Sequence, residues 1–283
     1  MSLKEIDFSK VLNDDQVYDH MMASYDKLGK EWIVHQWNWM DNVYKAFHDH
    51  YKYLIVICLI EKTLQFYDQM NIKFSFEQFY SKSNLQVEKF SITELCEKLQ
   101  LPKETVRRKV LELENLGVLI RIKKQIIIDR SVFTQVKPEN QIRSTSKYIY
   151  LISEIFNKDK IYSKKLDVKF IEQNIKKNFS LCWRWFYRMQ IPMIIGYHEA
   201  FKDLGTFHIW GTVAMNQAFN YKNSINITNI HSLSPDYKTF NKGIVTDQEN
   251  EKTSGVSAMS LSDMTNIPRA TVIRKCKYLM SRE

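Results

Sequence analysis

With 283 residues the chain has room for two domains of ordinary size, each able to bury its own core, and its seven glycines and five prolines are too few for β-rich or glycine-loop architectures. A mostly α class is therefore expected. The excess of 41 Lys and Arg over 32 Asp and Glu, a formal charge of +9, suits a polyanionic partner.

In chain order, residues 1–30 read as a polar lead-in followed by one helix with Val17, Met21, Met22 and Tyr25 on a face. Glu31 to Met70 is far more apolar. It holds Trp37 and Trp39, then Val43, Tyr44 and Phe47, then the nearly unbroken run Tyr53 to Ile60. A helix apolar on most sides must be covered on most sides, so this segment is expected to be a central core helix or a subunit interface. Tyr53 to Ile60 is too short to span a bilayer, and MSLKEIDFSKVLNDD lacks an apolar signal core, so no membrane partner is expected. Cys58, Cys96, Cys182 and Cys276 are scattered singly, which suggests neither a disulfide framework nor a CxxC metal site and fits core thiols in a reducing cytoplasm.

Residues 71–90 read as a connection to the most structured stretch, Ser91 to Asp129. Ser91 and Glu94 have the spacing of a capping box, and Ile92, Leu95, Cys96 and Leu99 lie on one helical face. Pro102 breaks that helix and opens the next, because proline lacks an N–H and fixes φ, both tolerated in a first turn. Val106, Val110 and Leu113 form the buried stripe of the second helix, and Gly117 is its left-handed terminator. Val118 to Ile122 and Ile126 to Ile128 then make a small β-hairpin with Lys123 and Lys124 at its tip.

Helix, tight turn, helix with Thr-Val-Arg-Arg, then Leu-Glu-x-Leu-Gly-Val-Leu and a basic hairpin: this order resembles the winged helix-turn-helix of bacterial transcription regulators, with the MarR-type and GntR-type families nearest in character. The resemblance covers roughly 45 residues and implies that the second helix, Pro102 to Leu116, lies in the DNA major groove. Lys103, Glu104 and Arg107, with Thr105 among them, then occupy the end presented to base edges. Arg108 and Lys109 suit phosphates, and Lys123 and Lys124 suit the backbone or minor groove.

Residues 134–146 are polar and contain Pro138, so they read as a linker. Tyr148 to Phe156 is an amphipathic helix, Lys158 to Lys177 is lysine-rich, and residues 181–221 return to the aromatic composition of 31–70. Trp183-Arg-Trp185 echoes Trp37-Asn-Trp39. Phe201 to Tyr221 aligns without gaps on Phe47 to Tyr67, matching Asp49 with Asp203 and Ile55 with Ile209. LSDMTNIPRATVIRKCKYL from Leu261 then repeats LCEKLQLPKETVRRKVLEL from Leu95, with Pro102/Pro268, Thr105/Thr271, Val106/Val272, Arg108/Arg274, Lys109/Lys275 and Leu113/Leu279 in one register. The chain is therefore expected to be a tandem duplication. Each copy, 1–138 and 145–283, is an aromatic helical support followed by a helix-turn-helix, about 91–129 with its wing and about 257–283 without one. Glu283 falls at the place of Gly117, so either the second wing is lacking or the sequence is a fragment of a longer product, the reading preferred here. Tyr221 to Gly255, rich in Ser, Asn, Thr and Lys, reads as a long loop.

In the second copy Arg269, Ala270 and Ile273 take the base-facing places, with Thr271, Arg274, Lys275 and Lys277 alongside. Arg107 can hold guanine with two hydrogen bonds whereas Ile273 offers only an apolar surface, so the two helices should not read the same sequence. The bland alternative, a solvated basic helix face, is hard to reconcile with Pro-x-x-Thr-Val-x-Arg-Lys occurring twice.

His48-Asp49-His50 has the look of a metal motif, but i and i+2 side chains diverge on a helix and the second copy has no histidine at either place. His35, His198 and His208 sit among aromatics and read as buried, hydrogen-bonded residues. No Ser/His/Asp order, glycine-rich phosphate loop or paired carboxylates stand out, so neither an enzyme nor a cofactor is expected. The tryptophan segments read first as core or dimer interface and second as the lining of a pocket for an unidentified small-molecule effector. The expectation is a cytoplasmic, sequence-specific regulator of transcription that binds double-stranded DNA through two helix-turn-helix units arranged as a pseudo-dimer within one chain. A plasmid-type replication initiator and a winged-helix interaction scaffold without DNA binding are the alternatives.

Overall fold

The computed structural model describes residues 12–123, 125–132, 137–161, 166–224 and 256–281, apart from the side chains of Lys30 and 217–224. The elements are α1 (Asp14–Ala23), α2 (Tyr25–Phe47), α3 (His50–Gln69), α4 (Phe76–Phe79), β1 (Asn84–Val87), α5 (Ile92–Leu99), α6 (Lys103–Asn115), β2 (Leu119–Ile122), β3 (Gln125–Asp129), α7 (Glu139–Lys158), α8 (Val168–Lys177), α9 (Phe179–Phe201), α10 (Leu204–Ser224), α11 (Ala258–Thr265) and α12 (Arg269–Met280). The mostly α class holds, with one small antiparallel sheet in the order β1-β3-β2.

The described residues divide into two compact units that do not follow the 1–138 and 145–283 boundary. One takes its residues from 1–35, 143–171 and 214–255, and the other from 36–142, 172–213 and 256–283. In the first, His20 meets Asp159 at 2.9 Å, the Trp32 ring lies 5.2 Å from Tyr148, and His35 Nδ1 is 2.9 Å from Ser144 Oγ. The second holds both helix-turn-helix elements. Its axis is α3, which packs on α9, α5, α6 and β1 and buries His50, Glu61, Thr63 and the run Leu54 to Leu59.

The apolar stretch 31–70 is two helices rather than one. The chain turns at His48, whose φ of 50° is left-handed, and restarts at Asp49, whose carboxylate accepts from the Tyr51 and Lys52 amides. Of the expected linker 134–146, the stretch from Glu139 onward is helical: α7 begins at Glu139, directly after Pro138, in the place where proline starts helices. Its buried side is lined by Ile142 and Ile155 together with Ser146 and Ser153, two small polar residues that disguise the periodicity.

The helix-turn-helix follows the expected pattern. Ser91 accepts from the Glu94 amide at 3.0 Å, but the capping box is only half made, because the Glu94 carboxylate turns to Lys62 at 2.8 Å. Leu95 and Leu99 of α5 and Val106, Val110 and Leu113 of α6 are buried, and Gly117 takes φ 73°. Ile128 pairs with Leu119 on one side and Leu85 on the other, so the wing hairpin gains a third strand from the stretch read as a connection. Gln100, between α5 and α6, is left-handed at φ 53°. Relief of that strain, about 1–2 kcal/mol, exceeds the entropy glycine loses, about 0.5–1 kcal/mol. Gln100→Gly should therefore leave the urea midpoint unchanged or raise it; a lower midpoint would contradict the geometry.

The helices recur in a constant frame. α1, α2 and α3 start 154 residues before α8, α9 and α10, and α2 and α9 each run 23 residues. The left-handed residue ahead of the third helix recurs in that frame, His48 at φ 50° and Lys202 at φ 59°. In the helix-turn-helix the frame becomes 166: Ser91 and Ser257 cap their helices, Gln100 and Asn266 are left-handed at φ 53° and 56°, and Pro102 and Pro268 precede α6 and α12. The tryptophan echo lies outside this frame. Trp37 and Trp183 are 146 apart, eight residues out of step, and their resemblance is one of composition only.

Candidate nucleic-acid interface

The packed stripes of α6 and α12 decide which side chains remain outside. In α6 the burial of Val106, Val110 and Leu113 leaves Lys103, Glu104, Arg107 and Arg108 exposed, with Thr105 half-buried. Arg107 and Glu104 make a two-point pair one helical turn apart, Nε to Oε2 at 3.0 Å and Nη2 to Oε1 at 2.8 Å. The guanidinium holds the Glu104 carboxyl below the ordinary carboxylate range. This pair offers one donor fork and one acceptor at the N-terminal end of the helix, the combination that can meet a base edge. In α12 the burial of Val272 leaves Arg269, Ala270, Ile273, Arg274 and Lys277 exposed and Thr271 half-buried.

Lys109 and Lys275, grouped by the sequence with the phosphate-facing cations, point elsewhere. Lys109 Nζ lies 2.6 Å from Asp49 and 3.0 Å from Glu112, and its side chain is only 12% exposed. Burial pushes its pKa down, but the two carboxylates more than offset this and hold it above the ordinary lysine value. Lys275 bonds Asp203, with Thr206 Oγ1 at 3.4 Å, and is 16% exposed. Burial pushes its ammonium below the ordinary lysine range. Both aspartates are N-terminal to the helix they precede: Asp49 caps α3, and Asp203 accepts from the Thr206 amide at 2.8 Å. Each outer helix is thus tied to the start of a support helix by the same kind of ion pair, and the physical reason for the correction is that these lysines face inward along the packed side.

At the wing, Lys123 is exposed at φ 53°, and Lys124 lies outside the described residues. Arg121 was missed by sequence reasoning, hidden in an apolar run read only as strand. It is exposed, lies 5.5 Å over the Phe90 ring and reaches Glu114 at 2.5 Å.

The histidines divide differently from expectation. His35 has Ser144, and His198 Nδ1 has the Tyr51 hydroxyl at 2.9 Å. His208 is buried, yet neither ring nitrogen has a partner among the described residues, and its ring meets His50 edge-on at 5.2 Å. Trp39 and Trp183 are core residues, whereas Trp185 and Trp210 are about half exposed. Among the described residues no three His, Cys, Asp or Glu side chains gather as a metal site, and no helix is long and apolar enough to cross a membrane.

Two helices across a left-handed turn, the second with an exposed basic face and followed by a three-stranded wing, define a winged helix-turn-helix. The family that matches is the DeoR-like helix-turn-helix domain, over residues 85–129, where the motif resemblance had pointed to the MarR and GntR types. The matched range begins in β1 and ends at the last residue of β3. It supports a winged-helix DNA-binding regulator. No curated protein and no solved structure matches the chain.

Proposed function

We propose that the chain is a sequence-specific, double-stranded DNA-binding regulator of transcription that uses α5–α6 and α11–α12 as the two halves of a pseudo-dimer. The observation that carries this reading is the repeated anchor: Asp49 with Lys109 and Asp203 with Lys275. An ancestral helix-turn-helix that duplicated with its support would keep the contact that fixes its outer helix. The matching helix starts and the shared left-handed turns agree with that history. Exposure of Arg107, Arg108, Lys123, Arg269 and Arg274 favours DNA over an interaction scaffold, in which these side chains would be covered.

On this reading Lys103, Glu104 and Arg107 contact bases in one half-site and Arg269, Ala270 and Ile273 in the other, half-sites about 34 Å apart along B-DNA. Because Arg107 and Ile273 differ, the operator is an imperfect palindrome. Selection of bound sites from random duplex DNA tests this: two unequal half-sites one helical turn apart are expected, and a single or absent motif would sink the pseudo-dimer. On the selected site, Arg107→Ala should cost about 1–3 kcal/mol and relax one base pair. Lys123→Ala should weaken all sequences alike and lower the salt slope by about one unit of contacted phosphate. Equal losses on specific and random DNA for both variants would remove Arg107 from base readout.

A further inference from the structure

The side of α9 that faces α3 and α4 buries Phe179, Trp183, Phe186, Gln190, Ile191 and Ile194. Trp185, Arg188, Met189, Pro192, Gly196 and Glu199 are exposed and share the opposite side, with Trp185 55% and Met189 45% accessible. Trp185, Met189, Pro192, Gly196 and Glu199 are spaced by four, three, four and three residues, the spacing of a seam along which a second helix lies. Two of these residues weaken the helix that carries them. Gly196 gives up more conformational freedom than any other residue would, and Pro192 leaves the Arg188 carbonyl without its helical donor. The fold of α9 asks for neither: a Cβ at Gly196 would meet nothing within 4 Å, and Pro192 is exposed. What they share is a low surface without a long side chain, which lets another backbone come close.

We infer that this face is covered by the same face of a second copy of the chain, the two α9 helices lying antiparallel about a two-fold axis near Pro192 and Gly196. The charges select that partner. Arg188 precedes the low centre of the seam and Glu199 follows it, and among the described residues neither has an ion-pair partner. An antiparallel pair brings Arg188 of each copy to Glu199 of the other, so one contact is made twice, as an isologous interface requires. A parallel pair would set like charges side by side. The guanidinium of Arg188 lies 4.5 Å from the centre of its own Trp185 ring, which holds both side chains at the end of the seam. Trp185 and Met189 then lose their exposed apolar surface to the other copy. This contact lies between chains and does not depend on the regulator reading, whose pseudo-dimer lies within one chain.

Sedimentation velocity of the full chain tests this. A dimer of two 33.8 kDa chains is expected at about 50 µM, above the micromolar or tighter Kd of an interface of standard size. Gly196→Gln should raise the Kd at least about tenfold while leaving the thermal midpoint of the monomer unchanged or higher, because glutamine favours the helix and obstructs only a second copy. Arg188→Glu and Glu199→Arg should each leave a monomer. An equimolar mixture of these two variants should dimerise again, because the mixed pair carries opposite charges at both ends of the seam. Misfolding cannot produce that recovery. Trp210→Gln, at a tryptophan almost as exposed but on α10, should change nothing. A chain that stays monomeric at the same concentration would overturn the proposal and leave the face to a different protein. A dimer unaffected by Gly196→Gln or by the charge changes, or charge variants that fail to pair when mixed, would overturn it as well.

Discussion

Lowering the pH from 7 to 5 should remove on the order of 4 kcal/mol from the stability of the unit that carries both helix-turn-helix elements. His50 and His208 are the cause. Burial pushes the His50 pKa down to about 3, helped by Lys275, and burial pushes His208 down to about 3, helped by His50 and Lys45. A histidine free in the unfolded chain titrates near 6.5. Both are neutral in the fold, so their contribution is fully present above pH 6.5 and is lost as the pH falls toward 3. At pH 5 each unfolded imidazole gains about 2 kcal/mol from protonation that the folded one forgoes. Urea unfolding at the two pH values measures the difference. His208→Leu, which installs the residue found 154 positions earlier at Leu54, should cut the loss about in half. A pH-independent midpoint between 7 and 5 would show that the imidazoles find protons or partners without unfolding. In the other unit His35, pushed down to about 4 by burial, should add a separate loss of about 2 kcal/mol.

Asp203→Ala should destabilise the protein by about 3 kcal/mol, and Asp49→Ala by about half as much. Each substitution removes an N-terminal acceptor, worth about 0.5–2 kcal/mol. The difference lies in what remains for the lysine. Lys109 keeps Glu112 at 3.0 Å, a carboxylate that Lys52 also approaches at 3.1 Å. Lys275 keeps only the Thr206 hydroxyl among its described contacts, and it is already depressed by burial. Stranding a mostly buried ammonium is the larger penalty, about 3 kcal/mol or more when the site is dry. The partly exposed Asp203, 36% accessible, holds the figure at the lower end. Adding Lys275→Met to Asp203→Ala should recover most of the loss, because the orphaned charge goes with it. Thermal or urea unfolding of the four proteins in the cycle gives the coupling directly. A coupling near zero would mean that α12 is held by Val272, Ile267 and Leu261 alone.

What was legible in the sequence tracked how strongly each local signal was forced. Pro102, Gly117 and the Val106/Val110/Leu113 stripe each have one physical solution, and the helix-turn-helix and wing followed from them. β1 was not legible because Leu85 and Val87 give only two inward positions and gain their meaning from Ile128 and Ile126, some 40 residues later. Tyr148 to Phe156 was read as helix, but the first turns of α7 were hidden by polar residues, with Ser146 on the buried side. Among the cations the helical wheel placed Lys103, Arg107 and Arg108 outside but misassigned Lys109 and Lys275. A lysine at the edge of a stripe goes to solvent or to a carboxylate according to partners far away in the chain, here 60 and 72 residues distant. The aligned Asp49 and Asp203 were already visible as a match; only the contact gave them a role.

The swap of histidine and leucine across the two halves has a consequence for how such a protein can change. His50 stands where the second half has Leu204, and Leu54 stands where it has His208. In a dimer of identical subunits every substitution is made twice, so a histidine introduced beside a dyad always meets the same neighbour on both sides. Two halves in one chain mutate independently, and on the proposed duplication the histidines could gather on one side of the joint while leucines took the other. Such a joint admits only one pairing of halves. A gene that encoded either half twice would no longer supply the His50 and His208 contact, and the product would have to find a different way to close.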